Sequence, residues 1–149
     1  GDRHQALIWL RNGGHETLDS FDPDATGEME KKYLDFFNNL PYYFEVDQYI
    51  LVHAGLNFLH PEPLSDHRSM MWIRNWYEQI NEKWLAGRII VHGHTPKTTT
   101  RIELMLSQIH QRSVIGIDGG CVYENGLNHL CAFELTHQEL IFQKNIEDE

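Results

Sequence analysis

Three short segments share one plan, an apolar run that hands over to a polar group beside glycine. They are Val52-His53-Ala54-Gly55, Val91-His92-Gly93-His94-Thr95 and Ile117-Asp118-Gly119-Gly120. Imidazole is the commonest side-chain ligand for borderline divalent metals, and neighbouring glycines let the backbone pass close to an ion or a phosphate. His53 and His94 are therefore the candidate metal ligands. The chain holds ten histidines, but His4, His15, His60, His67, His110, His129 and His137 stand in no such setting. They read as surface or satisfied core residues. Asp118 has two readings, an acceptor that fixes a ligand imidazole or a turn residue, and the turn is the simpler one.

For these loops to converge, each must leave the C-terminal end of a strand in a layered sheet, where ligand groups collect on rigid supports. Tyr49-Ile50-Leu51-Val52 is a continuous apolar run suited to a strand covered on both faces. Arg88 to Val91 and Ser113 to Ile117 read as two more short strands. The first half is more helical. His4 to Leu10 looks like the end of a helix stopped by Asn12-Gly13-Gly14, where positive φ is expected, and Glu16 to Phe21 leads into a loop. Glu28 to Leu40 carries Met29, Tyr33, Phe36, Phe37 and Leu40 at helical spacing before Pro41. Ser69 to Leu85, with Trp72, Trp76 and Trp84, predicts a third helix. Beyond residue 120 a meander is expected: Cys121 to Glu124, an Asn125-Gly126 turn, Leu127 to Leu135 and Leu140 to Gln143. That turn would set position 121 opposite 130, leaving Cys121 and Cys131 offset and poorly placed for a bridge, so both read as small buried residues. The pattern as a whole is α/β, either a simple layered sheet or an αββα arrangement.

At 149 residues the chain is sized for one modest domain, and 22 acidic against 12 basic residues give a net charge of −10. That balance argues against nucleic acid or an anionic membrane as partner, since both need a basic footprint. No apolar run approaches the roughly 20 residues of a membrane span. No secretory signal is visible, and two cysteines make no disulfide framework. A cytoplasmic setting is the expectation.

Four ordered segments carry a family resemblance: Leu51-Val52-His53-Ala54-Gly55-Leu56, Met71-Trp72-Ile73-Arg74, Ile90-Val91-His92-Gly93-His94-Thr95-Pro96 and Gly116-Ile117-Asp118-Gly119-Gly120-Cys121-Val122-Tyr123. Together they resemble the C-terminal half of a calcineurin-like metallophosphoesterase, closest to the bacterial and phage Ser/Thr protein phosphatases. Trp9 to Leu18 resembles a WLRNGGxxTL segment of the same enzymes. The resemblance implies a four-layer αββα sandwich with a mixed sheet, a dinuclear metal centre, and hydrolysis of phosphomonoesters by in-line attack of a metal-activated water. His53 and His94 match two histidines that ligate one ion. His92 sits where the family is usually apolar and is not read as a ligand. Arg74 matches an arginine that clamps phosphate oxygens, a task suited to a planar guanidinium; read alone, it is a solvated charge on an amphipathic helix. Two divalent ions are implied, Mn²⁺ first, with Fe or Zn compatible.

The family's GDxHG, GDxxDRG and GNHE motifs, which supply the remaining ligands and the catalytic histidine, are absent. Gly1-Asp2-Arg3-His4 copies GDxH only superficially, because Gln5 replaces the expected glycine and no strand precedes it. The expectation is a single partial domain over 1–149, lacking its N-terminal motif-bearing half, with no catalytic residue of its own. Two imidazoles fill only part of one coordination sphere, so the chain alone should bind metal weakly and turn over little. The expected partners are a phosphoprotein or small phosphoester and the missing half of the domain, with dual specificity open. Two rivals stand beside the phosphatase: a symmetrical dinucleoside tetraphosphate hydrolase, and a degenerate phosphatase-like binding module. A plain α/β structural domain with incidental histidines ranks last.

Overall fold

The computed structural model describes residues 3–21, 31–123 and 126–146. The chain divides into two compact units, one ending at Pro41 and the other starting at Tyr42.

In the first unit, α1 (Arg3–Trp9) runs through a kink at Leu10–Gly14 into α2 (His15–Phe21). The expected stop is present: Gly13 takes φ +93°, and Asn12 also leaves helical geometry. Glu16 to Phe21 is helical, and the loop expected after it, residues 22–27, lies outside the described residues. Thr17 secures this restart by donating its hydroxyl to the Gly13 carbonyl at 2.8 Å. α3 (Lys31–Asn38) occupies most of the second expected helix, whose first residues lie outside those described.

The second unit is built on a four-stranded mixed sheet in the order β1 (Tyr43–Val46), β2 (Tyr49–Val52), β3 (Ile89–His92), β4 (Val114–Gly116). β1 and β2 form an antiparallel hairpin turning at Asp47, which takes φ +51°. β2, β3 and β4 are parallel, with Val52 beside His92 and His92 beside Gly116. All residues of β3 and β4 are buried, as expected for strands covered on both faces. β5 (His129–Glu134) and β6 (Glu139–Lys144) make a separate antiparallel hairpin. Phe133, Leu135, Leu140 and Phe142 of this hairpin region pack on the core. The Tyr49 hydroxyl ties it down by donating to the Leu135 carbonyl at 2.9 Å. The chain is thus α/β, with a mixed main sheet and a small antiparallel one.

Three expectations fail. Ser69 to Leu85 is not one helix but α4 (His67–Trp72), a turn of 3-10 helix at Tyr77–Gln79, and α5 (Glu82–Leu85). Asp66 caps α4, Ile73 goes extended at ψ 142°, and Asn75 turns left-handed at φ +56°. The break lets Trp76 drop into the core, where its indole N–H donates to the Ala54 carbonyl at 3.2 Å. Tertiary burial here overrides helical periodicity. The strand expected from Cys121 is also missing over residues 121–123, where 121 and 122 form a turn, and β5 pairs with β6 instead; Glu124 and Asn125 lie outside the described residues. Cys121 and Cys131 are free and half-buried rather than buried.

The segment between β3 and β4 forms α6 (Thr99–Ser107) and α7 (Ile109–Arg112). Thr98 caps α6 by accepting the Arg101 N–H; Ile102 and Met105 bury the inner face of α6, and Ile109 is the buried residue of α7.

Candidate functional site

Because β2, β3 and β4 run parallel, their C-terminal ends open on one edge of the sheet. His53 follows β2 directly, His94 lies two residues beyond β3, and Asp118 two beyond β4. The first two loops are stitched together by the backbone: Gly93 N–H donates to the His53 carbonyl at 2.8 Å. Gly55 is fixed by packing, since a Cβ at this residue would lie 2.2 Å from the Trp76 ring.

This stitching brings His53 Nε2 to 3.1 Å from His94 Nδ1, with ring centroids 4.8 Å apart. Two nitrogens on one ion, each about 2.1 Å from it, sit roughly 3.0 Å apart at a right angle and about 3.4 Å apart in a tetrahedron. The observed spacing falls in that window, and one neutral ring donating to the other fits it equally well. His94 reaches its position at a cost, for its backbone is left-handed at φ +65°. Its Nε2 is buried with no hydrogen-bond partner among the described residues. Burial, then the Arg74 and His53 charges, hold the His94 imidazole below its usual pKa, with the Trp72 backbone and Asp118 opposing. The outcome favours the neutral ring, which is the form that ligates metal.

Arg74 follows the break after α4 and so is not the solvated helix charge that the sequence pattern also allowed. Its Nη1 donates to the His94 carbonyl at 3.2 Å and to the Thr95 hydroxyl at 3.3 Å. The rest of the guanidinium makes no protein hydrogen bond among the described residues and is exposed. Trp72 stands edge-on to His94, centroids 5.9 Å apart, and is itself 70% exposed.

His92 plays a different part. It is buried, donating Nδ1–H to the Gly93 carbonyl at 2.8 Å and accepting the Tyr77 hydroxyl at Nε2 over 2.6 Å. Both ring nitrogens are therefore engaged. Burial first, with smaller contributions from the charges of Lys97, His94 and His53, pushes its pKa down to about 4. Burial likewise pushes Tyr77 up to about 12, so the pair is neutral. Asp118 takes its simpler role: Oδ1 accepts the Gly120 N–H at 2.9 Å, closing a turn.

No group of three or more His, Cys, Asp or Glu gathers at metal-binding distance among the described residues. Among the described residues, His53, His94 and Arg74 approach one another at this edge, with Asp118 closing a turn on the neighbouring loop. Among the described residues, no helix is long and apolar enough to cross a membrane. Compared with protein-family models, with curated proteins and with solved structures, the chain shows no significant match.

One candidate site feature escaped the sequence reading. Lys97 and Arg101, four residues apart at the start of α6, face a cavity of about 330 Å³ beside His92. The four-residue spacing across a threonine cap was the available signal, yet it is also the spacing of an ordinary solvated helix start.

Proposed function

We propose that this chain supplies part of a dinuclear metallophosphoesterase centre in a calcineurin-like sandwich, acting on phosphomonoesters of proteins. The observation that carries this is the approach of His53 and His94 to 3.1 Å from loops of adjacent parallel strands. The four ordered motifs then supply the class. His53 and His94 would hold one divalent ion, Mn²⁺ first, with Fe or Zn compatible with the nitrogen donors. Such an ion lowers the pKa of a water and neutralises charge on phosphoryl oxygens. Arg74, anchored by one nitrogen, keeps its remaining N–H groups available to two oxygens of a phosphate. Bridging carboxylates, further ligands and a general acid would come from outside the described residues, so the share of the described residues is binding and orientation.

The test is hydrolysis of a phosphoserine peptide by the protein encoded at its full reading length, with Mn²⁺ and without. Arg74→Ala is expected to lower kcat/KM by about tenfold or more, as loss of a charge-assisted contact does. His53→Ala and His94→Ala should each remove metal binding in calorimetry. Unchanged metal affinity in both variants would sink the reading. Preferential cleavage of a dinucleoside tetraphosphate would move the substrate to the rival branch.

A further inference from the structure

The cavity beside His92 is lined by Asn75, Tyr77, Thr95, Lys97 and Arg101, with Trp76 and His92 as its inner wall and Glu78 at its margin. Two cations share this space in a chain of net charge −10. Lys97 is half-buried, its Nζ donating to the Thr95 carbonyl at 2.8 Å and lying 5.7 Å from the Tyr77 ring centroid. That single acceptor leaves two of its N–H groups unused. Burial holds its pKa below the ordinary value, Arg101 adds to the effect, and Asp118 opposes it. Arg101 forms no ion pair among the described residues. The one carboxylate at the margin, Glu78, is directed to Arg112 at 3.7 Å instead. Thr95 belongs to both places: it lines the cavity, and its hydroxyl accepts from Arg74.

We propose that this cavity is an oxyanion subsite, taking a second carboxylate or phosphate group carried by the molecule whose phosphoester Arg74 would hold. Two cations facing one concavity repel each other, and an oxyanion between them relieves that repulsion while accepting from Lys97, Arg101 and Asn75. Thr95 sets the two anionic groups side by side. The substrate class is then a phosphopeptide with an acidic or second phosphorylated residue next to the target, rather than a neutral-flanked one. The cavity's capacity for an oxyanion is independent of the phosphoesterase assignment, whereas its use by a substrate rests on it.

The test separates the two. Inorganic phosphate is titrated into the metal-free protein in the presence of a chelator, and backbone amide shifts are followed by NMR. Saturable shifts at Lys97 to Arg101 and Tyr77 are expected, with affinity about tenfold weaker in Arg101→Gln. Arg101 is exposed, so that variant should keep the fold. Lys97→Met should weaken binding and Lys97→Arg restore it, while His53→Ala should leave these shifts in place. A flat titration, shifts confined to Arg74 and His94, or full affinity in Arg101→Gln would overturn the subsite. At full reading length, Arg101→Gln should raise KM for an acidic-flanked phosphopeptide several-fold more than for a neutral-flanked one; equal changes would overturn substrate use. Absence of any hydrolysis, with phosphate binding intact, would count against the phosphoesterase and leave the oxyanion site standing.

Discussion

His94 holds an unusual backbone for an imidazole. A left-handed conformation costs an L-residue roughly 1–2 kcal/mol, and glycine escapes that cost. His94→Ala and His94→Gly both delete the ring, but only alanine keeps the strain of φ +65°. The glycine variant is therefore expected to be more stable than the alanine one by about 1 kcal/mol in denaturant unfolding. Equal stabilities would mean that the loop relaxes freely and that its geometry does not set the imidazole. The neighbouring His92 shows the opposite economy, with both nitrogens bonded, an ordinary strand backbone and no freedom to ligate. Histidine types alone could not separate these two. The family resemblance assigned them different parts by position, and the physical difference between them lies in burial and in the Tyr77 hydroxyl.

At the scale of elements, the three loop-bearing strands were legible because each is a short apolar run that hands over to a polar residue with glycine close by, and such runs suit strands covered on both faces. The stretch from 69 to 85 was not. Trp72 and Trp76 stand four apart, which fits a helix, but the same spacing serves a chain that breaks after Trp72 and sinks Trp76 beneath Gly55. Local periodicity carries no information about which partner a tryptophan will meet. The break matters to the site, because it takes Arg74 off a helix face and onto the His94 loop. Gly55→Ala would drive a methyl into the Trp76 ring and is expected to destabilise by at least about 2 kcal/mol, checked by urea unfolding. Asp66 starts the broken segment. Its carboxylate accepts from the Ser69 N–H and hydroxyl and from Asn57 at 2.9 Å, and these bonds, Ser69 foremost, bring its pKa down to about 2. With the folded pKa below the unfolded value, this contribution is complete above about pH 4 and fades as pH falls towards 2. Asp66→Ala should therefore melt below the parent protein at pH 6, with the gap narrowing between pH 4 and 2. A gap that stays constant over that range would remove the carboxylate from the account.

Across the whole molecule, charge and core are separately arranged. The buried residues centre on β2, β3 and β4, whereas the surplus of acidic groups gives the chain a pI near 5.4. β1 is the end strand of the main sheet, antiparallel to β2, and no strand pairs with its other side among the described residues. Phe44 and Val46 on it are exposed. An open strand border with apolar side chains is a template for joining a second chain, and mutual repulsion between like-charged molecules is what ordinarily withholds it. Near pH 5.4 that repulsion vanishes, and light scattering is expected to show reversible self-association there, suppressed by Phe44→Lys. Colloidal behaviour would then trace back to a single hairpin: the same strand that lengthens the sheet beyond its parallel trio also gives the protein a sticky margin whenever its surplus charge is titrated away.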